Sequence, residues 1–167
     1  MNTNWIYESW TNQVKKGMAD KITEHFTPLF KEKPNIHTEE QEQSFDRPAF
    51  FIFYGYISDY ANTIDKNIRY RMSMRVRYHP SEKHGNAYDE MTAVGDHLAY
   101  CLKEIEVPID KVTDEEKIVI YGRNMNYDPS DNHDYLMFDI VFTVMLQDVK
   151  EKDTFLVELE QNEIIKP

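Results

Sequence analysis

The sequence predicts an α+β fold: a mostly antiparallel sheet of two long hairpins with helices packed on it. Three observations carry this. Apolar residues recur every four positions from Trp5 to Phe30, which is helical spacing. Residues 135–146 alternate without a break through Leu136, Phe138, Ile140, Phe142, Val144 and Leu146, the clearest strand signal in the chain. A second alternating run, "NIRYRMSMRVRYHP", puts arginine at 69, 71, 75 and 77 and an apolar side chain at each even position from 68 to 78.

The elements follow in order. The first helix carries Ile6, Trp10, Val14, Met18, Ile22 and Phe26, joined by Leu29 and Phe30, with Pro28 and Pro34 closing it. A strict spacing of four drifts by about 40° per step, so the stripe is expected to wind onto a second surface. "IHTEEQEQSFDRP" reads as an acidic connector with a short strand at Ile36 to Glu39. "AFFIFYGYISDY", 49–60, is apolar on both faces, as in a strand covered on both sides, and Gly55 marks a bulge or a close approach. With the turn "ANTIDKN" and the arginine strand 67–78, it forms the first hairpin. A second helix is expected through Met91, Val94, Leu98, Cys101, Leu102 and Ile105, capped by Asn86 or Asp89. Strands at 117–127 and 135–146, joined by "DPSDNHD", form the second hairpin. Residues 1–152 then make one domain with an N-terminal helix, and 153–167 a C-terminal extension.

Composition excludes several function classes. The 167 residues carry a formal charge of −11 with 41% hydrophobic and 29% charged side chains, which suits a globular domain. No run approaches the roughly 20 apolar residues of a bilayer span, and the first ten residues lack the pattern of a secretory signal, so a cytosolic site of assembly is expected. One cysteine excludes an intrachain disulfide, and its place on a helix's apolar face reads as a buried hydrophobe. Five glycines build no phosphate loop or dinucleotide fingerprint, and no nucleophile elbow surrounds a serine. The six histidines form no metal motif, and "HTEEQEQ" lacks the ligand spacing of a calcium loop. No catalytic, cofactor-binding or metal-binding residue is assigned, and the protein is expected not to be an enzyme.

The arginine row is the feature that needs explaining. Its charges could pair with acids of the same chain, such as Asp139, which sits inside the last strand on the face opposite Leu136 and Ile140. They could instead contact nucleic acid, although the net acidity opposes it and no exposed aromatics interleave. Or they could meet an acidic surface on another copy, a head-to-tail contact that closes into a ring when the rotation permits.

Several segments, in order, resemble the phage tail terminator, or tail completion, family of tailed phages and prophages of Gram-positive bacteria. These are "IHTEEQEQSFDRPAFFI", "YRMSMRVRYHPS", "NAYDEMTAVGDHLAYCLKEI", "GRNMNYDPSDNHDYLMFDIVFTV" and the ending "LVELEQNEIIKP", together covering about residues 35–166. The resemblance implies a structural virion protein: a ring of small α+β subunits, typically a hexamer, on the head-proximal end of the tail. It would stop tube polymerisation and dock the neck or head-completion protein, with genomic DNA passing through the lumen without specific binding. The implied partners are the protein itself, the tail tube protein and the neck protein, with no membrane and no cofactor. Within that reading Arg69, Arg71, Arg75, Arg77 and Asp139 are expected at an interface, and Phe155, Leu156, Val157 and Leu159 in a tail that docks on a neighbour. The alternatives are another neck or head-completion connector subunit and, more remotely, a small acid/base or metal-dependent enzyme.

Overall fold

Why an α+β layer forms is visible in which faces are apolar. The computed structural model describes residues 10–38, 44–62, 67–81, 86–108, 117–129 and 134–147. Helix α1 (Trp10–Phe30) and helix α2 (Ala87–Cys101) combine with strands β1 (Asn35–His37), β2 (Ala49–Asn62), β3 (Asn67–His79), β4 (Glu104–Pro108), β5 (Lys117–Asp128) and β6 (Leu136–Gln147). The six strands lie in the order β1-β2-β3-β6-β5-β4 and curl into a half-barrel. The sheet is mixed: β1 runs parallel to β2, while the other neighbouring pairs are antiparallel.

Both helices lie on one side of this sheet. Val14, Met18, Ile22 and Phe26 of α1 and Met91, Val94, Leu98 and Cys101 of α2 share a single core with Phe50, Ile52, Met72, Met74, Val76, Tyr78, Leu136, Phe138, Ile140 and Phe142. Burial of one such side chain contributes about 1.5–3 kcal/mol, so this one contiguous cluster holds the layers together. The four-residue stripe of α1 therefore stays in that core from Val14 to Phe26, each at most 1% exposed, instead of winding to a second surface. Among the described residues of the stripe, Leu29, about half exposed, leaves it.

Three local expectations are corrected. Pro28 does not close α1 but lies inside its last turn. Phe30 stacks on Phe50 and Tyr78 (centroids 6.2 and 6.4 Å apart), and this packing offsets the hydrogen bond that proline removes. The helix ends where Lys31 enters the left-handed region at φ 61°. Second, Ile105 belongs to β4, not to α2. Ile105 and Val107 are buried against the core while Glu104 and Glu106 are exposed, a period of two that a five-residue strand shows only briefly. Third, the short strand before β2 is Asn35–His37 and not Ile36 to Glu39.

Other details follow the local chemistry. Asn86 caps α2, its side-chain oxygen accepting from the Asp89 N–H at 3.3 Å. Gly55 is the extra residue where the β2–β3 register shifts, and a Cβ there would lie 3.1 Å from the Ser73 carbonyl oxygen. The register shift in β5 spans Asn124, which takes φ 52°. Residues 1–9, including Ile6, and 148–167, with Phe155, Leu156, Val157 and Leu159, lie outside the described residues.

Candidate assembly face

Because strand side chains alternate, the residues between the core positions share the other side of the sheet, where no described helix packs. Arg71, Ser73, Arg75, Arg77 and His79 occupy that side on β3. Register places Asp139 and Phe53 beside Arg75, Met137 and Phe51 beside Arg77, and Thr143 and Asp59 beside Arg71. Arg69 is placed by register alone, between Ala61 and Met145. Arg71, Arg75 and Arg77 therefore fall in one row with Asp139 next to it, and the backbone register of Arg69 continues the same alternation.

The row is not uniform. Arg75 forms a two-pronged pair with Asp139, its Nε donating to Oδ1 at 2.5 Å and its Nη2 to Oδ2 at 3.0 Å. That hydrogen bond raises the guanidinium pKa further. Both partners remain 38–48% exposed, so the pair contributes no more than about 1 kcal/mol to stability. Arg75 is thus matched within the chain.

Arg77 has a different neighbourhood. Its guanidinium carbon sits 4.9 Å from the Phe53 ring centre and 5.0 Å from that of Tyr135, a cation held between two aromatic faces. Its Nε is buried and has no hydrogen-bond partner among the described residues, as is true of His79 Nδ1 and His37 Nε2. These groups surround one aromatic cluster. His37 stacks on Phe51 at 4.6 Å, Phe45 meets Phe51 edge-on at 4.8 Å, and His79 lies 4.6 Å from Phe45 and 5.5 Å from Tyr135. Burial, then the nearby Arg47 and Arg77 charges, push the His79 pKa down to about 4, against a weaker upward pull from Asp134. His79 is therefore neutral at pH 7.

Sequence reading located the arginines and Asp139 but not this cushion of rings. The signal was present in "AFFIFY": its even members Phe50 and Ile52 enter the core, and its odd members Phe51 and Phe53 back the arginine row. Farther along the same face, Val119 and Tyr121 on β5 are about half exposed. What this arrangement can do chemically is recognition. Guanidinium groups backed by aromatic rings give the rigid, amphipathic contacts that dominate protein–protein interfaces.

No group of three or more metal-ligating side chains occurs among the described residues. Cys101 is 5% exposed, and burial pushes its thiol up to about 12, as befits a packing residue. On the helix side, a groove of about 450 Å³ runs past Lys21, His25, Leu29 and Tyr100. No described helix is long and apolar enough to cross a membrane.

Comparison with known proteins adds one match. The family model described as phage tail terminator protein matches residues 13–154, most of the chain. No curated protein matches it.

Proposed function

The chain belongs to the phage tail terminator family, a family of structural tail-assembly proteins of the virion, and from that premise we propose that it assembles as a ring on the head-proximal end of the tail tube. There it stops polymerisation and offers a docking surface for the neck or head-completion protein. It works by shape and charge, with no chemical step. A hexamer is the ring number that the family suggests, and genomic DNA passes through the opening without specific binding.

The single observation that carries this reading is the sheet face without a helix layer. It combines Arg75 and Asp139, Arg77 between Phe53 and Tyr135, and the half-exposed Val119 and Tyr121. Such a mixture of rings and arginines suits a protein partner. It suits phosphate poorly, because Asp139 occupies one arginine and Asp59 lies in register beside another, in a chain of net charge −11. Residues 153–167, with Phe155, Leu156, Val157 and Leu159, extend this contact by docking on a neighbouring copy.

The experiment is polymerisation of purified tail tube protein with and without this protein. We expect added protein to arrest elongation and to decorate one tube end, and Arg77→Ala to weaken that arrest. Tubes that elongate equally at saturating protein would reject the reading.

A further inference from the structure

We propose that His25 and His97 form a proton-controlled latch that closes the seam between α1 and α2 at neutral pH and releases it in acid. His25 Nε2 and His97 Nδ1 lie 2.9 Å apart, with ring centroids at 5.0 Å. At that separation one ring nitrogen donates and the other accepts, so the bond requires at least one neutral ring. With both rings protonated, two N–H groups and two positive charges would face each other, and the contact must open.

The surroundings hold the rings in place. His25 meets Phe26 edge-on at 5.3 Å and Tyr100 at 5.7 Å, and His97 meets Phe26 at 6.0 Å. The charged and titratable groups beside the pair are Lys21 and Glu24 on α1, Asp96, Tyr100 and Cys101 on α2, Lys103 in the turn after it, and Glu104 at the start of β4. Two of the carboxylates are engaged: Glu24 pairs with Lys21 at 3.7 Å, and Asp96 accepts a hydrogen bond from the Tyr127 hydroxyl. The pull of Glu24 on a second imidazolium does not outweigh burial and the His97 charge.

The direction of the pH response follows from linkage. Burial first, then the His97 and Lys21 charges, lower the His25 pKa below its ordinary 6.5, against an opposing pull from Glu24. Opening the seam restores the ordinary value, so the open form binds a proton that the closed form excludes. The latch holds fully above about pH 6.5 and weakens as pH falls below it. Between pH 7.5 and 5.5, uptake of one proton favours the open form by up to about tenfold.

Amide hydrogen exchange on the full chain tests this, with rates corrected for the intrinsic pH dependence of exchange. Amides of residues 20–30 and 92–101 should open up to about tenfold more often at pH 5.5 than at 7.5, while those of β3 and β6 stay protected. His97→Gln, whose amide donates and accepts without titrating, should reduce that response to the part set by burial of His25, and His25→Gln should abolish it. An unchanged acid response in both variants would overturn the proposal, as would equal wild-type protection at the two pH values. Parallel loss of protection in the sheet would show global acid unfolding instead, which also overturns it. Should neither variant fold, an NMR titration of the wild-type imidazoles decides: two independent titrations at the ordinary histidine value would exclude the latch.

Discussion

Helix α1 can seat on β4 only because position 17 has no side chain. A Cβ added to Gly17 would lie 2.5 Å from the Glu106 carbonyl oxygen and 3.5 Å from Ile105 Cδ1. Ordinary contact needs about 3.4 Å, so Gly17→Ala must push the helix from the β4 backbone by close to an ångström, because the Glu106 carbonyl is backbone and not a flexible side-chain end. Overpacking of this kind costs about 1–3 kcal/mol. Against it stands the better helix propensity of alanine, worth about 1 kcal/mol in a helix interior. The steric cost should win by about 1 kcal/mol, which for a chain of this size lowers Tm by about 2–4 °C. Thermal and urea unfolding followed by circular dichroism measure it, and Gly17→Val, with two more methyl groups against the same carbonyl, should lose more. An alanine variant stabilised by about 1 kcal/mol, the response of an open helical glycine, would refute the placement of α1 against Glu106.

Other consequences can be checked with the same preparations. Tyr78→Phe removes the hydroxyl that donates to Glu90 Oε1 at 2.6 Å, leaving the Ser81 N–H at 2.9 Å on that oxygen, and should cost about 1.5–3 kcal/mol in urea unfolding at pH 7. His79, depressed from 6.5 to about 4, contributes stability that is complete above pH 6.5 and lost as pH falls toward 4, about 3 kcal/mol in all. His79→Phe should flatten that part of the pH profile, and an unchanged slope would contradict the burial. Asp139→Ala should alter stability by no more than about 1 kcal/mol, because the pair with Arg75 is half exposed, yet it should impair arrest of tube growth. Loss of stability without loss of arrest would reverse that assignment. Phe26→Ala empties a site that is 1% exposed and in contact with Phe30 and Phe50, and should cost about 3–5 kcal/mol by the same unfolding assay.

How much of this was legible depended on the length of each pattern. The unbroken alternation of β6 and the four-residue stripe of α1 each repeat often enough to fix an element, and the arginine row identified the outer side of β3 before any geometry was known. β4 escaped because Leu98, Cys101, Leu102 and Ile105 keep helical spacing across a real change of structure. All four point into the same core, and burial alone cannot tell a helix end from a short strand's start. Pro28 misled for a related reason: local chemistry says stop, and the tertiary contacts of Phe30 say continue. The parallel pairing of β1 with β2 has no local signal, since it depends on where a connector returns the chain. The aromatic cushion under Arg77 was legible only in part: Phe51 and Phe53 stand together in β2, but Phe45, His79 and Tyr135 come from other segments that only the fold brings beside them. His25 and His97 are 72 residues apart and meet only where α1 and α2 pack.

In the proposed role the protein ends tail growth. Electron microscopy of tails from a phage lacking its gene decides whether it does. Tails of irregular, excessive length that fail to join heads are expected, with normal length and joining restored by supplying the wild-type chain. Tails of normal length joined to heads in its absence would contradict that role.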